Sequence, residues 1–198
     1  MSDLSRLADR MDRVSGEVQK AIRVSLTTLG KRGQRLVKEG YLSGERLAVR
    51  SGRLRNSVVT AQETVGSTER LYLKAGGGQA DVRYAALQEY GGVVRPVNAK
   101  FLAIPLSPAR TRAGVSRYKS PRDVAGLFFF RAKSGKAYLG MRTGKGKRAK
   151  VKAWFALVPS VTIREKRYMR DAMDQMVAAA DTVIGDAVDT ALSRVVQG

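Results

Sequence analysis

"SGKA" at residues 134–137 and "TGKGK" at 143–147 are the stretches of this 198-residue chain that come nearest to a phosphate-handling loop. A phosphate-cradling loop needs a lysine followed by Ser or Thr, with a second glycine five residues before the Gly-Lys pair, and neither stretch meets both demands. There is no G-x-S-x-G nucleophile elbow. The chain has no histidine and no cysteine. That removes the usual neutral-pH general base, thiolate chemistry, disulfides and cysteine-ligated metals, and leaves carboxylate, lysine or tyrosine catalysis. Asp171, Asp174, Asp181, Asp186 and Asp189 are spaced as a solvated helix face. A carboxylate nuclease would need such acids, a divalent metal and a basic cleft together. The basic region holds a single acid, which weakens the nuclease reading without removing it; the expectation is no enzyme, and no cofactor or metal.

Charge is the dominant feature. Lys and Arg number 37 against 17 acids, a formal net charge of +20. Residues 90–164 hold 17 of the bases and one acid, Asp123, while the remainder holds 20 bases and 16 acids. Such a segment favours a polyanion, nucleic acid first and an acidic protein surface second. "RTGKGKRAKVK" (142–152) carries Arg142, Lys145, Lys147, Arg148, Lys150 and Lys152 with no aromatic among them, which suits phosphate contact and not base stacking. "SPARTRAGVSRYKSPR" (107–122) reads as a loop or extended arm whose Arg110, Arg112, Arg117, Lys119 and Arg122 either clasp an adjacent subunit or shield the sheet edge begun by "FLAIPL". Asp123 either caps a short turn or pairs with these arginines.

These residues must be positioned by a scaffold, and the apolar content of 43% is enough for a core. Leu4, Leu7, Met11, Val14, Val18, Ile22, Leu26 and Leu29 form one helical stripe, with Gly30 and Gly33 weakening or ending the helix and Gly40 ending the segment after it. Met169, Met173, Met176, Val177, Ala180, Val183, Ile184, Ala187, Val188, Ala191, Leu192 and Val195 form a broader stripe near the C-terminus, expected to face the core for most of its length. Between them the period changes. "SVVTAQETV" (57–65) and "RLYLKAGG" (70–77) read as a hairpin around "GSTE", and "ADVRY" (80–84) as a third strand. "LFFFR" (127–131), "AYLGMR" (137–142) and "AWFALV" (153–158) read as an antiparallel meander. Helices at the ends with sheet between them predict a single α+β domain: a helix over 1–40, sheet over 51–164 with a basic insert at about 93–152, and a helix over 165–197. No apolar run approaches a membrane span, and the N-terminal segment, with Asp3, Asp9 and Asp12, is an amphipathic helix unlike a signal peptide. The expectation is a soluble protein with no membrane partner.

"YAALQEYGG" (84–92) reads as one short helical turn closed by Gly91. Tyr84, Leu87 and Tyr90 are three apart and are expected to share a face against the sheet, leaving Glu89 to pair with a base on this chain or a neighbour.

At this point the residues resemble a family. "SGRLRNSV" (51–58), with Gly52, Leu54 and Ser57, is similar to the motif before the first strand in the tail-completion and head-to-tail joining proteins of long-tailed bacteriophages. "YAALQEYGG", with Tyr84, Ala85, Glu89, Tyr90 and Gly91, resembles that family's second motif. "LVPSVTIREKRYMRDAM" (157–173) occupies the place of the third, but Arg164, Glu165 and Lys166 stand where a proline-rich element is usual, and Tyr168 takes the aromatic position. The "LFFFRAKSGKAYLG" insert resembles longer members from transposable and related prophages. The resemblance implies a virion component without catalysis, located at the neck or tail end and in the host cytoplasm during assembly. It implies a ring of sixfold or twelvefold symmetry that contacts adjacent connector and tail-tube proteins, with packaged DNA as a further phosphate contact. Docking of the basic loops on an acidic neighbouring ring ranks ahead of DNA, because a channel gripping DNA strongly would hinder its exit. The alternative is a basic architectural DNA-binding protein unrelated to virions.

Overall fold

The computed structural model describes residues 3–76, 82–144, 146 and 149–197. Helix α1 (Asp3–Arg35) runs on as a wider-turned helical segment, Leu36–Glu45, and is followed by the short α2 (Arg53–Asn56). Strands β1 (Val59–Val65) and β2 (Thr68–Lys74) precede helix α3 (Ala85–Tyr90). Then come β3 (Gly92–Val94), β4 (Leu102–Pro105), β5 (Phe128–Arg131), β6 (Ala137–Thr143), β7 (Lys150–Val158) and β8 (Val161–Ile163) before helix α4 (Arg170–Gln197). This is an α+β architecture with antiparallel sheets between long terminal helices. Among the described residues no helix is long and apolar enough to cross a membrane.

The chain groups into two compact units. The first comprises residues 1–48, 53–89 and 166–198, and the second residues 49–52 and 90–165, which contain the expected basic insert. In the first unit α1 and α4 pack side by side and antiparallel, with Gly33 against Met176 and Ser25 beside Val183. The β1–β2 hairpin also packs on α1, and its two-residue turn uses Gly66 at φ 61°. The core holds Val37, Tyr41, Leu42, Leu54, Val58, Val82, Ala85, Tyr168 and Ala172. Burying one such large apolar side chain contributes about 1.5–3 kcal/mol. Met176 is buried, and Met169 packs against this core, as the sequence led us to expect.

Several sequence expectations are corrected by this packing. Gly30 and Gly33 do not stop α1. A Cβ on Gly33 would lie 2.0 Å from the Met176 sulfur, and one on Gly30 3.0 Å from Leu71, so both glycines serve close approach. The segment also passes Gly40; the chain turns at Gly44, whose φ of 139° only glycine adopts easily. Leu4, Leu7 and Met11 are exposed and not part of the packed stripe, and Val177 and Leu192 are likewise outside the core. No strand spans Val82–Tyr84, which turn directly into α3; residues 80 and 81 of that expected strand lie outside the described residues.

The second unit contains the meander. Its four-stranded sheet has the order β4-β7-β6-β5, so the three aromatic runs form the expected antiparallel meander and β4 adds an edge strand. Phe155, Ala137 and Ala109 are its buried apolar residues. The β6–β7 register shifts between Leu139 and Gly140, leaving Trp154 as an extra residue on β7. A Cβ on Gly140 would lie 2.5 Å from the Phe130 ring, so the glycine makes room for that aromatic. A separate two-stranded pairing joins β3 to β8, Gly92 opposite Ile163.

Candidate functional site

In the first unit one buried carboxylate joins α3 to the start of α4. α3 is only six residues long, and its buried positions are Ala85 and Glu89, four apart and on one face. Tyr84 and Tyr90 lie on the other side, 42% and 65% exposed, so the predicted assignment of faces is inverted. Glu89 is 3% exposed. Its Oε2 accepts the backbone N–H of Met169 at 2.8 Å, and its Oε1 accepts the backbone N–H of Arg170 at 3.0 Å and Arg170 Nε at 3.2 Å. The first N–H groups of any helix lack intrahelical partners, and here a side chain remote in sequence supplies the cap of α4 with a charge that suits the helix dipole. The neighbouring Tyr168, 1% exposed, donates its hydroxyl to the Ala85 carbonyl at 3.0 Å.

The other motif positions have equally specific structural tasks. Leu54 is in the core. The Ser57 hydroxyl donates to the Leu54 carbonyl at 2.7 Å and accepts the Gly76 N–H at 2.9 Å, which ties α2 to the end of β2. Gly52 and Gly91 have φ of 70° and 71°. A Cβ on Gly91 would come within 2.8 Å of the Glu165 nitrogen and 2.9 Å of the Ile163 carbonyl, so the close of the helix is reserved for glycine twice over.

A partly exposed charged cluster flanks the cap, and sequence reasoning missed it. Arg46 Nη1 donates to the Lys166 and Arg167 carbonyls and to Asp171 Oδ2, and its guanidinium lies 4.0 Å from the Tyr41 ring centroid. Arg167 Nε donates to Asp171 Oδ1 at 2.9 Å. The hydrogen bond from Arg46, then that from Arg167, hold the Asp171 carboxyl below its ordinary value, and the bond to Asp171 raises Arg46. A shallow cleft of about 360 Å³ beside the β1–β2 turn is walled by the Arg23–Glu69 pair at 2.6 Å, whose hydrogen bond lowers the Glu69 carboxyl. Among the described residues no three acids form a group able to hold a metal ion.

In the second unit the two ends of the basic stretch 142–152 are strand. Arg142 ends β6 with Thr143, and Lys150 and Lys152 open β7; Lys145, Lys147 and Arg148 lie outside the described residues. β5 pairs with β6 only as far as Gly140, and β4 reaches β7 only from Phe155. Among the described residues, therefore, Met141–Thr143 and Lys150–Lys152 pair only with each other, as a two-stranded ribbon beyond the sheet. Side-chain alternation sets Arg142 and Val151 on one face of it and Lys150 and Lys152 on the other. Arg142 lies 5.9 Å from the Phe128 ring centroid, an aromatic contact that the basic stretch taken alone did not suggest.

The stretch 107–122 folds back on itself through short helical turns at Ser107–Ala109 and Pro121–Asp123 and a bridge from Arg110 to Ser116. Arg117 Nε donates to the Arg110 carbonyl at 2.8 Å, while Arg112, Lys119 and Arg122 are exposed. Asp123 caps: it accepts the Ser120 N–H at 2.9 Å. The structure thus brings Arg110 together with Arg117, and Arg142 with Lys150 and Lys152 on one ribbon. Comparison of the chain with protein-family models, curated proteins and solved structures gives no match.

Proposed function

We propose that this protein is a structural component of a phage neck or tail end, acting by ring assembly and surface contact and not by catalysis. The observation that carries the reading is that the family-like residues build the scaffold: Ala85 and Glu89 fix α3 to the start of α4, Leu54 fills the same core, Ser57 ties α2 to the end of β2, and Gly91 closes α3. Motifs whose residues build a rigid body suit a part that works by shape. The basic ribbon and the folded 107–122 arm supply charged contacts with neighbouring rings and, through phosphate, with packaged DNA. The test is interruption of the gene in its phage or prophage, followed by electron microscopy of the induced lysate. Filled heads separate from tails, or tails of abnormal length, are expected.

A second reading, an architectural DNA-binding protein, is favoured by one feature. The ribbon carries Arg142 on one face and Lys150 and Lys152 on the other, so it can meet phosphates from two sides. Tight duplex binding by a low-order oligomer, with normal particles after gene interruption, would favour that reading.

A further inference from the structure

One face of α4 is exposed and mixed in character. Asp174, Val177, Asp181, Asp189 and Leu192 recur at helical spacing on one side of the helix. All five are exposed, Val177 to 66%. From Asp171 to Ser193 the helix contains no Lys or Arg; Arg170 lies one turn before Asp174, and Asp181 and Asp189 have no base three or four residues away on α4. Among the described residues none of Asp174, Asp181 and Asp189 takes part in an ion pair.

The second unit presents the complement. It carries 18 Lys or Arg against Asp123 and Glu165. Its ribbon sets Arg142 beside the exposed Val151 on one face, a base next to an exposed aliphatic, and Lys150 and Lys152 on the other face. Opposite charges steer two such surfaces together and fix their register, while the apolar residues supply area to bury.

We infer that the basic ribbon of one copy docks along the outer face of α4 of a second copy. The contact is heterologous, because the two patches differ, so it repeats from copy to copy until the rotation closes. It deepens the ring reading and rests on that reading for closure, while the contact itself stands on charge and exposure.

The test uses the full chain and two charge-reversed variants, R142E/K150E/K152E and D174K/D181K/D189K, followed by sedimentation velocity. All the substituted positions are exposed, and circular dichroism checks the fold; Gln and Asn versions serve as milder second variants. The wild type is expected to self-associate at about 50 mM NaCl and to dissociate at about 500 mM, where the screening length is short. Each reversed variant alone sets like charge against like and is expected to associate at least about tenfold more weakly. An equimolar mixture of the two restores opposite pairing and is expected to regain association. A wild type that stays monomeric at low salt, a variant that associates normally, or a mixture that fails to recover would each overturn the inference. If the monomer instead shifts a duplex DNA probe through the same ribbon residues, the partner is nucleic acid and the inference fails. Failure of the neck reading shows in particles and is read separately from this solution association.

Discussion

Glu89 is the residue on which the first unit turns. The sequence presents it as a lone acid in a short helical turn, and spacing alone favours the tyrosines as the buried side. What decides the matter is a long-range demand: the start of α4 offers two backbone donors and Arg170 Nε, and only an acceptor-rich side chain satisfies them together. That demand lies some eighty residues away and is invisible to local periodicity. Replacing Glu89 by Gln keeps the shape but loses charge-assisted bonds at a buried site, and is expected to cost about 2–4 kcal/mol. A denaturant melt would read this, and an unchanged midpoint would refute the cap. Asp171 gives a second prediction. Its folded value lies below the ordinary 3.8, so the stability it adds is present above that value and lost as pH falls through the depressed one. The midpoint difference between wild type and Asp171→Asn is expected in full at about pH 7 and should shrink as pH falls below the ordinary carboxylate range.

Among the elements, those with a strong local period were legible in the sequence. The terminal helices, the first hairpin and the aromatic meander all stand within a few residues of where their periodicity places them. The departures have a common cause, which is that the partner of a residue is not in its window. Gly33 reads as a helix breaker, yet it is the point at which Met176 approaches α1. The basic loop reads as irregular, yet backbone pairing carries β6 and β7 into it. Two glycine substitutions separate propensity from packing. Gly185→Ala, with nothing within 4 Å of the new carbon, is expected to stabilise by about 0.5–1 kcal/mol. Gly33→Ala gains the same helix propensity but forces Met176 to move, and is expected to cost about 1–3 kcal/mol. Equal stabilisation by both, measured by chemical denaturation, would contradict the close contact.

At the scale of the whole molecule, charge is the property most fully legible in the sequence. The excess of bases in 90–164 coincides with the second unit, while α4 of the first is acidic along its exposed face. Sequence shows that such segregation exists; only the strand register shows that part of it lies on a ribbon free of the sheet. The candidate site was therefore half legible. Its residue types were evident, and its geometry depended on pairings between distant segments. The tasks of Ala85 and Glu89 were illegible, since they appear only when α3 meets the start of α4.

The measurement closest to the central claim is negative-stain electron microscopy of the lysate induced after the gene is interrupted, with and without the wild-type gene supplied in trans. Filled heads lying apart from tails, or tails of irregular length, are expected, with joined particles when the gene is restored. Normal joined and infectious particles in its absence would contradict it.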